Sequence, residues 1–441
     1  MAYHETLEFL FSLQKHGIRP GLAIIEALLA RLGRPERRFP SVHIGGTNGK
    51  GSTAAMAASM LRAAGYRVGL YTSPHLVDFR ERIRVDGDDI PEDRVAALAD
   101  RLRQAMEGLE RAPTFFEFTT AMAFERFAES AVDLAVVEVG LGGRFDATNV
   151  LAPLASAITT VSIDHVEYLG RTVRDIAFEK AGIVKARTPL VTGRLTADAE
   201  DVIRQVAADR GAPRLRWGTD FRAAGDPLGG FRYESVRRTF DRLQCPLPGA
   251  HQVDNAACAV SLIETLADKG FPVSEAAVRE GLARTHWEGR LETVERRPTV
   301  VLDGGHNAAA AAALAEHLAA ARRDRPEARV ILVVGMMRDK DRTGFLRALA
   351  PLADEIIVTQ PALARATSAE ELAADVVEAC GGIGRDGGHL PIHRVPVPAE
   401  ALAHAKRLAS AHDLIYVTGS LMLVGDVKAV LRGCSLSPIR G

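Results

Sequence analysis

Residues 45–53 read Gly-Gly-Thr-Asn-Gly-Lys-Gly-Ser-Thr. Glycines in such a run let the backbone curl until successive N–H groups face one anion, and a helix opening behind it adds the positive end of its dipole. Lys50 is spaced to reach terminal phosphates, and Ser52 or Thr53 to meet Mg²⁺. The run reads as a phosphate-binding loop, so Gly46, Thr47, Asn48, Gly49, Lys50, Gly51, Ser52 and Thr53 are assigned to a nucleotide. Gly51 makes it a variant, because the usual pattern has a hydroxyl directly after the lysine. Glu138 sits at the end of the apolar stretch DLAVVEV, where a second metal ligand is expected downstream of such a loop. His165 follows another apolar stretch in TTVSIDHVEYLG. In open parallel sheets ligands gather at the carboxyl ends of the strands, so Lys50, Glu138 and His165 are expected to converge on one crevice. Asp303-Gly304-Gly305-His306-Asn307 is a second strand-to-helix turn suited to phosphate or ribose, although a capping Asn or Asp explains much of it. Lys180 and Lys185, in DIAFEKAGIVKAR, are not singled out by spacing.

The elements that must position these groups alternate along the chain. Strand-like segments at 41–45, 67–71, 133–139 and 156–162 interleave with helical ones at 52–64 and 117–129. The alternation resumes at 299–303, with a long Ala-rich helix at 307–322 and strands at 329–334, 354–358 and 413–418. Repeated βα units predict an α/β fold with parallel sheets covered by helices on both faces. Residues 211–248 are different: rich in Gly, Pro and Arg, with short apolar alternations, they read as a small antiparallel excursion. Helices are expected at about 250–269 and 273–283, and a boundary near 290–298, where the chain turns polar and reaches a proline. The predicted organisation is an N-terminal ATPase-type domain, residues 1–295, and a C-terminal Rossmann-like domain, residues 296–441.

Composition bounds the function. The chain has 441 residues, with 55 Lys+Arg against 56 Asp+Glu, so the net charge is 55 − 56 = −1. A sequence-independent grip on nucleic acid needs a cationic excess, so no nucleic-acid partner is expected, while one local anion site remains compatible. The four cysteines form no CxxC pair, which points to neither zinc nor a disulfide framework and suggests a reducing cytoplasm. No uncharged apolar run approaches the roughly 18 residues that span a bilayer, and the N-terminus lacks the pattern of a signal peptide. The guanine-reading N-K-x-D motif and the kinase H-R-D and D-F-G elements are absent. What remains is a two-domain nucleotide enzyme using Mg²⁺, with its site between the domains.

Beyond these readings, a series of ordered motifs resembles the folylpolyglutamate synthase/dihydrofolate synthase family of the Mur ligase superfamily. They are GTNGKGST (46–53), YTSPHLVDFRERIRVDG (71–87), FFEFTTAMAF (115–124), VEVGLGGRFDATN (137–149), SIDHVEYLG (162–170) and EKAGIVK (179–185). The series continues with PGAHQVDNAACA (248–259), WEGRLE (287–292), LDGGHN (302–307), GMMRDKD (335–341) and VTGSL (417–421). Gly305 stands where the family usually has Ala, and Glu288 where it usually has Pro.

The resemblance implies ATP-dependent amide formation: a substrate carboxylate takes the γ-phosphoryl group, and the amine of L-glutamate displaces phosphate from the acyl phosphate. It further implies that Ser73, Glu138 and His165 hold Mg²⁺, two ions being expected, and that Lys180 is carbamylated. Asn255, Arg290, Asp303 and His306 are implied to contact the nucleotide, and Lys340 and Ser420 the glutamate or acyl phosphate. Dihydropteroate and reduced folates are the implied acceptors. Phe116, Phe118, Arg82 and the segment Asp146-Ala147-Thr148 are implied to face them, with core packing the plain alternative for the two phenylalanines. A monomer is implied. The competing readings are a Mur-type ligase for a cell-wall or other carboxylate precursor and a non-catalytic nucleotide switch; the SPHL and DGGHN motifs favour the folate branch over the first, and the metal-site residues and Lys180 argue against the second.

Overall fold

The computed structural model describes residues 2–17, 19–384 and 387–437. Its first sheet has eight strands, β1 (Ser41–Gly45), β2 (Val68–Tyr71), β3 (Ile83–Val85), β4 (Asp88–Asp89), β5 (Leu134–Glu138), β6 (Ala155–Ile158), β7 (Leu190–Thr192) and β8 (Arg214–Arg216). Their order is β4-β3-β2-β5-β1-β6-β7-β8, parallel except for the edge hairpin β3–β4 and its pairing to β2. A separate antiparallel sheet holds β9 (Phe221–Asp226), β10 (Gly230–Ser235) and β11 (Thr239–Leu243). It lies within the excursion expected at 211–248, whose first residues instead form β8, a parallel edge strand of the first sheet. The third sheet contains β12 (Glu292–Arg296), β13 (Thr299–Leu302), β14 (Val330–Val334), β15 (Glu355–Val358), β16 (Ile392–Arg394) and β17 (Leu414–Thr418). Its order is β12-β13-β17-β14-β15-β16, parallel apart from the β12–β13 pair. This is an α/β fold with two parallel-sheet units.

Strands covered on both faces lose polar–apolar alternation and become continuous apolar runs. β1, β5, β14 and β17 are buried at every position. One face of the first sheet packs on the Lys50–Ala63 helix, whose Ala54, Ala57, Ala58, Met60 and Leu61 join Val42 and Ile44. That helix is buried nearly all round because its side chains are small. A Cβ on Gly281 of the Glu275–Ala283 helix would strike the backbone of Met60, so glycine permits their close approach. On the opposite face Tyr71, Ala135 and Val137 meet Phe118, Phe124 and Phe127 of the Phe115–Glu129 helix.

The sequence motif around Glu288 acquires a structural meaning in the passage between the units. Glu288 pairs with Lys428 at 3.2 Å and with Arg432, both on the Leu421–Arg432 helix. Burial works against its charge, but His286, Lys428 and Arg432 hold the carboxyl down at about 2. An ion-pair network thus stands where the family's proline would stiffen the chain. No helix among the described residues is long and apolar enough to cross a membrane. The four cysteines are free.

Candidate active site

Sheet order explains why distant motifs meet. Strands β2, β5, β1 and β6 are neighbours, and their carboxyl ends release Ser73, Glu138, the phosphate loop and the 159–165 segment side by side. The loop is pinned to that segment. Thr47 N–H donates to Thr160 O at 2.8 Å, Asn48 N–H to Thr160 Oγ1 at 3.0 Å, and Thr159 Oγ1 to Asn48 O at 2.6 Å. The helix begins at Lys50, two residues before its expected start at 52, because Gly49 takes the capping position in a left-handed conformation. Ser52 and Thr53 lie buried in its first turn. Lys50 Nζ donates to Thr47 O at 3.1 Å, folding back across its own loop.

Gly49 has a φ of +84°, and a Cβ there would collide with Asn255 Oδ1. The loop is therefore packed against Asn255, whose amide also donates to Gln252 at 2.9 Å. Gly49→Ala is expected to displace Asn255 as well as strain the backbone by about 1–2 kcal/mol. The apparent KM for ATP should rise tenfold or more while the melting temperature falls only a few degrees. An unchanged KM would show that this packing does not shape the nucleotide site.

Ser73 and Glu138 meet: Ser73 N–H donates to Glu138 Oε2 at 3.1 Å. Burial raises the Glu138 carboxyl, while Lys50, the Ser73 N–H and Arg290 oppose that rise. His165 is not drawn into a joint cluster with them. Its Nε2 instead accepts from Lys340 Nζ at 3.1 Å, and burial together with Lys340 lowers its pKa to about 4, leaving a neutral ring with a lone pair on Nε2. Among the described residues no three His, Cys, Asp or Glu side chains cluster as a metal site. The carboxylate and hydroxyl nonetheless suit Mg²⁺, which prefers oxygen donors, keeps several waters and takes phosphate oxygens for the rest; the imidazole is the one softer donor of the set. The buried Glu138 carboxylate, placed opposite the Lys50 cation, fits such an ion.

Lys180 is 3% exposed, and its Nζ donates to Gly46 O at 2.9 Å, directly behind the loop. Burial and the nearby Lys50 depress its pKa to about 7, with Asp164 and Asp146 opposing. Lys185 lies farther off, donating to Asn149 O at 2.7 Å.

The second unit presents its own strand ends. Asp303 follows β13 and accepts from Leu291 N–H at 3.1 Å and Gly305 N–H at 2.9 Å. Arg290 is held next to it; burial lowers its pKa, and Asp303 and Glu138 oppose this. His306 Nδ1 lies 3.0 Å from Gly304 O. Ser420 follows β17 and caps the Leu421–Arg432 helix by accepting from Met422 N–H at 3.0 Å. Lys340 lies beyond β14 and reaches His165.

The groups assigned to the acceptor divide. Arg82 is 2% exposed; its Nε donates to His75 Nδ1 at 2.8 Å, it lies over the Phe115 ring, and its Nη2 makes no hydrogen bond. Burial lowers its pKa to about 10, which still leaves a cation at neutral pH. Phe116 is half-buried, 6.1 Å from Tyr71 between ring centroids. Phe118 is a correction: fully buried against Phe9, it has no ring face open to a ligand and is a core residue. Asp146 accepts from Leu141 N–H at 2.8 Å, from Thr148 N–H at 3.0 Å and from the Thr148 hydroxyl, so its oxygens shape the 140–148 turn. Ala147 is buried beneath it.

Sequence reasoning missed Asp164 and His43. Asp164 lies beside His165 in the motif, yet it is the better-connected residue: it contacts Lys340, Asn307 and His306. Burial opposes its charge, but His306, Lys340 and His165 hold the carboxyl well below the usual carboxylate range. Its adjacency to the histidine was the available signal. His43, fully buried on β1, lies 2.8 Å from the Thr148 hydroxyl. Since that hydroxyl donates to Asp146, His43 Nε2 carries the proton. A histidine inside a strand gives no such signal in sequence.

Comparison with known proteins gives the family. Residues 44–263 match the Mur ligase middle domain and residues 289–421 the Mur ligase, glutamate ligase domain. A Bacillus subtilis protein named dihydrofolate synthase/folylpolyglutamate synthase is 34% identical, covering 98% of this chain and 99% of that protein. The structure of E. coli FolC in complex with DHPP and ADP superposes with a TM-score of 0.88 at 31% identity over 98% of both chains. A Yersinia pestis bifunctional folylpolyglutamate synthase/dihydrofolate synthase, complexed with AMPPNP and a Mn ion, gives 0.85 at 29% identity over 98% of both chains. With both ligase domains matched in order and near-complete coverage of its relatives, the chain belongs to the dihydrofolate synthase/folylpolyglutamate synthase family of ATP-dependent Mur ligases.

Proposed function

We propose that the chain joins L-glutamate to dihydropteroate and to reduced, glutamylated folates at the expense of ATP. The observation that supports this most directly is a phosphate loop whose Lys50 acts on both Glu138 and His165, with Lys340 of the other unit reaching His165 and His306 lying beside Asp164. One unit holds ATP, and the other, whose sheet begins with β12 at Glu292 rather than at the expected 296, receives glutamate.

The helix N-terminus and Lys50 bind the phosphates, with Asn255, Arg290, Asp303 and His306 around the remainder of the nucleotide. An acceptor carboxylate oxygen attacks the γ-phosphorus, the bond to the β–γ bridging oxygen breaks, and ADP leaves. The glutamate amine then adds to the acyl carbon and loses a proton; the bond to the phosphate oxygen breaks and phosphate departs. Mg²⁺ ions held through Ser73, Glu138 and His165 would supply neutralisation of the phosphoryl and carboxylate oxygens. The protein's own part is alignment and exclusion of water from the acyl phosphate. Arg82, with a buried donor left unpaired, and the half-buried Phe116 serve the acceptor; Lys340 and Ser420 serve glutamate or the acyl phosphate. Lys180 acts as its carbamate. The enzyme is placed in the cytoplasm, consistent with its free cysteines, and works as a monomer.

Phosphate release should require L-glutamate together with dihydropteroate or tetrahydrofolate, and dihydrofolate should form from dihydropteroate as sole acceptor. Release driven only by a UDP-linked carboxylate would overturn the folate assignment in favour of a cell-wall ligase. Release with tetrahydrofolate alone would leave a polyglutamylating enzyme without the synthase step.

A further inference from the structure

Two sets of contacts cross between the units at the mouth of the site. Asn48 in the phosphate loop and Asn307 in the DGGHN turn exchange amide hydrogen bonds of 3.1 and 3.0 Å. Asp164 gathers three groups from the second unit. Lys340 Nζ is 2.7 Å from its Oδ1, Asn307 Nδ2 donates to its Oδ2 at 3.1 Å, and His306 Nε2 lies 3.6 Å from the same Oδ2. Its remaining bond, from the His165 N–H at 2.9 Å, fixes the carboxylate to the first unit.

We infer that Asp164 is a positioning residue that docks the second unit on the first and delivers Lys340 to the His165 side of the reaction centre. Lys340 and Asp164 side chains are each 9% exposed, so the pair lies almost out of solvent. A carboxylate has about four acceptor positions, and here they are shared between the two units rather than spent within one loop. Removing the carboxylate leaves a nearly buried ammonium without its counter-charge, which is strongly unfavourable. Separating the units at the mouth rehydrates that ammonium. A separate apolar contact between the units does not involve Asp164: Leu76 and Val77 of the first unit pack with Val300, Leu302 and Val424 of the second. Loss of Asp164 therefore opens the mouth while the units stay attached along that apolar contact. Asn307 links the two contact sets, since its amide serves both Asn48 and Asp164, so the loop that holds the phosphates and the turn that follows β13 move together.

The test uses the full chain with Cys380 and Cys434 replaced by Ser, and spin labels on Asp198→Cys and Glu370→Cys, both exposed positions. Distances are measured with Mg²⁺ and AMPPNP present. With Asp164 intact a short-distance population should dominate. Asp164→Ala should add a longer population, and Asp164→Asn should give a smaller shift in the same direction. Lys340→Gln should reproduce the shift, which keeps the test decisive if Asp164→Ala folds poorly. In turnover, Asp164→Asn should lower kcat by about 10²-fold, the cost of misplacing a reacting group by an ångström or so. The KM for ATP should rise by less than kcat falls, because Lys50 and the loop amides remain while the turn bearing Asp303 and His306 is displaced with Asn307. Identical distance distributions in all variants, or an unchanged kcat, would overturn the inference. The kinetic arm rests on the ligase reading, whereas the distance arm does not: absence of any folate-dependent turnover in the unsubstituted chain would remove the first and leave the second to decide.

Discussion

Lys50→Ala should lower ATP-dependent phosphate release by about 10²–10³-fold, the range found when one preorganised group facing developing charge is removed. The fold should survive, because the side chain of Lys50 contributes one contact, to the Thr47 carbonyl, and no core packing. The loss has two sources. The first is the missing cation at the terminal phosphates. The second is indirect: Lys50 is the leading positive influence opposing the raised pKa of the buried Glu138 carboxyl. Without it that carboxyl is driven further upward, and a protonated acid is a poor metal ligand. The variant should therefore need more Mg²⁺ for half-maximal activity in addition to losing rate. Raising pH should recover part of the Mg²⁺ affinity, since it ionises Glu138, but not the rate at saturating Mg²⁺. A near-normal turnover number in a folded variant would remove the phosphate-loop assignment.

Much of this site was legible in the sequence for a physical reason. Glycine positions are dictated by backbone geometry, so the run at 45–53 announces its conformation through residue type alone. The parallel strands show as unbroken apolar stretches, and Glu138 and His165 are recognisable as polar residues, one ending such a stretch and one in the loop that follows. Boundaries were less legible: the expected strand at 156–162 stops at Ile158, because Thr159 and Thr160 turn aside to hold the phosphate loop. Phe118 could not be told from Phe116 by type. The two are separated by a 200° turn of the helix, which points one into the core and leaves the other partly open. Asp164 escaped because its role exists only when the second unit arrives. Its partners Asn307 and Lys340 lie 143 and 176 residues away. Net charge pointed the same way as the final site: with a total of −1, phosphate recognition falls to a few local cations, backbone amides and Mg²⁺.

Lys180 provides the other large effect, and it turns on pH. An ordinary lysine titrates near 10.4 and is almost wholly an ammonium at neutral pH. Lys180, brought down to about 7 by burial and by Lys50, is about half neutral amine there. Only the neutral amine adds to CO₂; the new N–C bond forms, one proton is released, and a carbamate anion replaces the cation. The exchange turns repulsion between Lys180 and the half-buried Lys50 into attraction, which offsets repulsion from the neighbouring Asp164 and Asp146 carboxylates. The sign follows: lowering pH through about 7 protonates the amine and blocks addition, so activity should fall on the acid side, and bicarbonate should shift that limb to lower pH. Lys180→Ala should lose activity by about 10²-fold or more, comparable to removal of another electrostatic group in the site. Short carboxylic acids, which place an anion in the vacated space, should restore part of it. With ¹³C-bicarbonate the native chain should show a carbamate carbon resonance that Lys180→Ala lacks. If that resonance is missing and turnover is indifferent to bicarbonate across pH 6–8, Lys180 works as an amine; its bond to the Gly46 carbonyl would then be its whole contribution, a brace behind the phosphate loop.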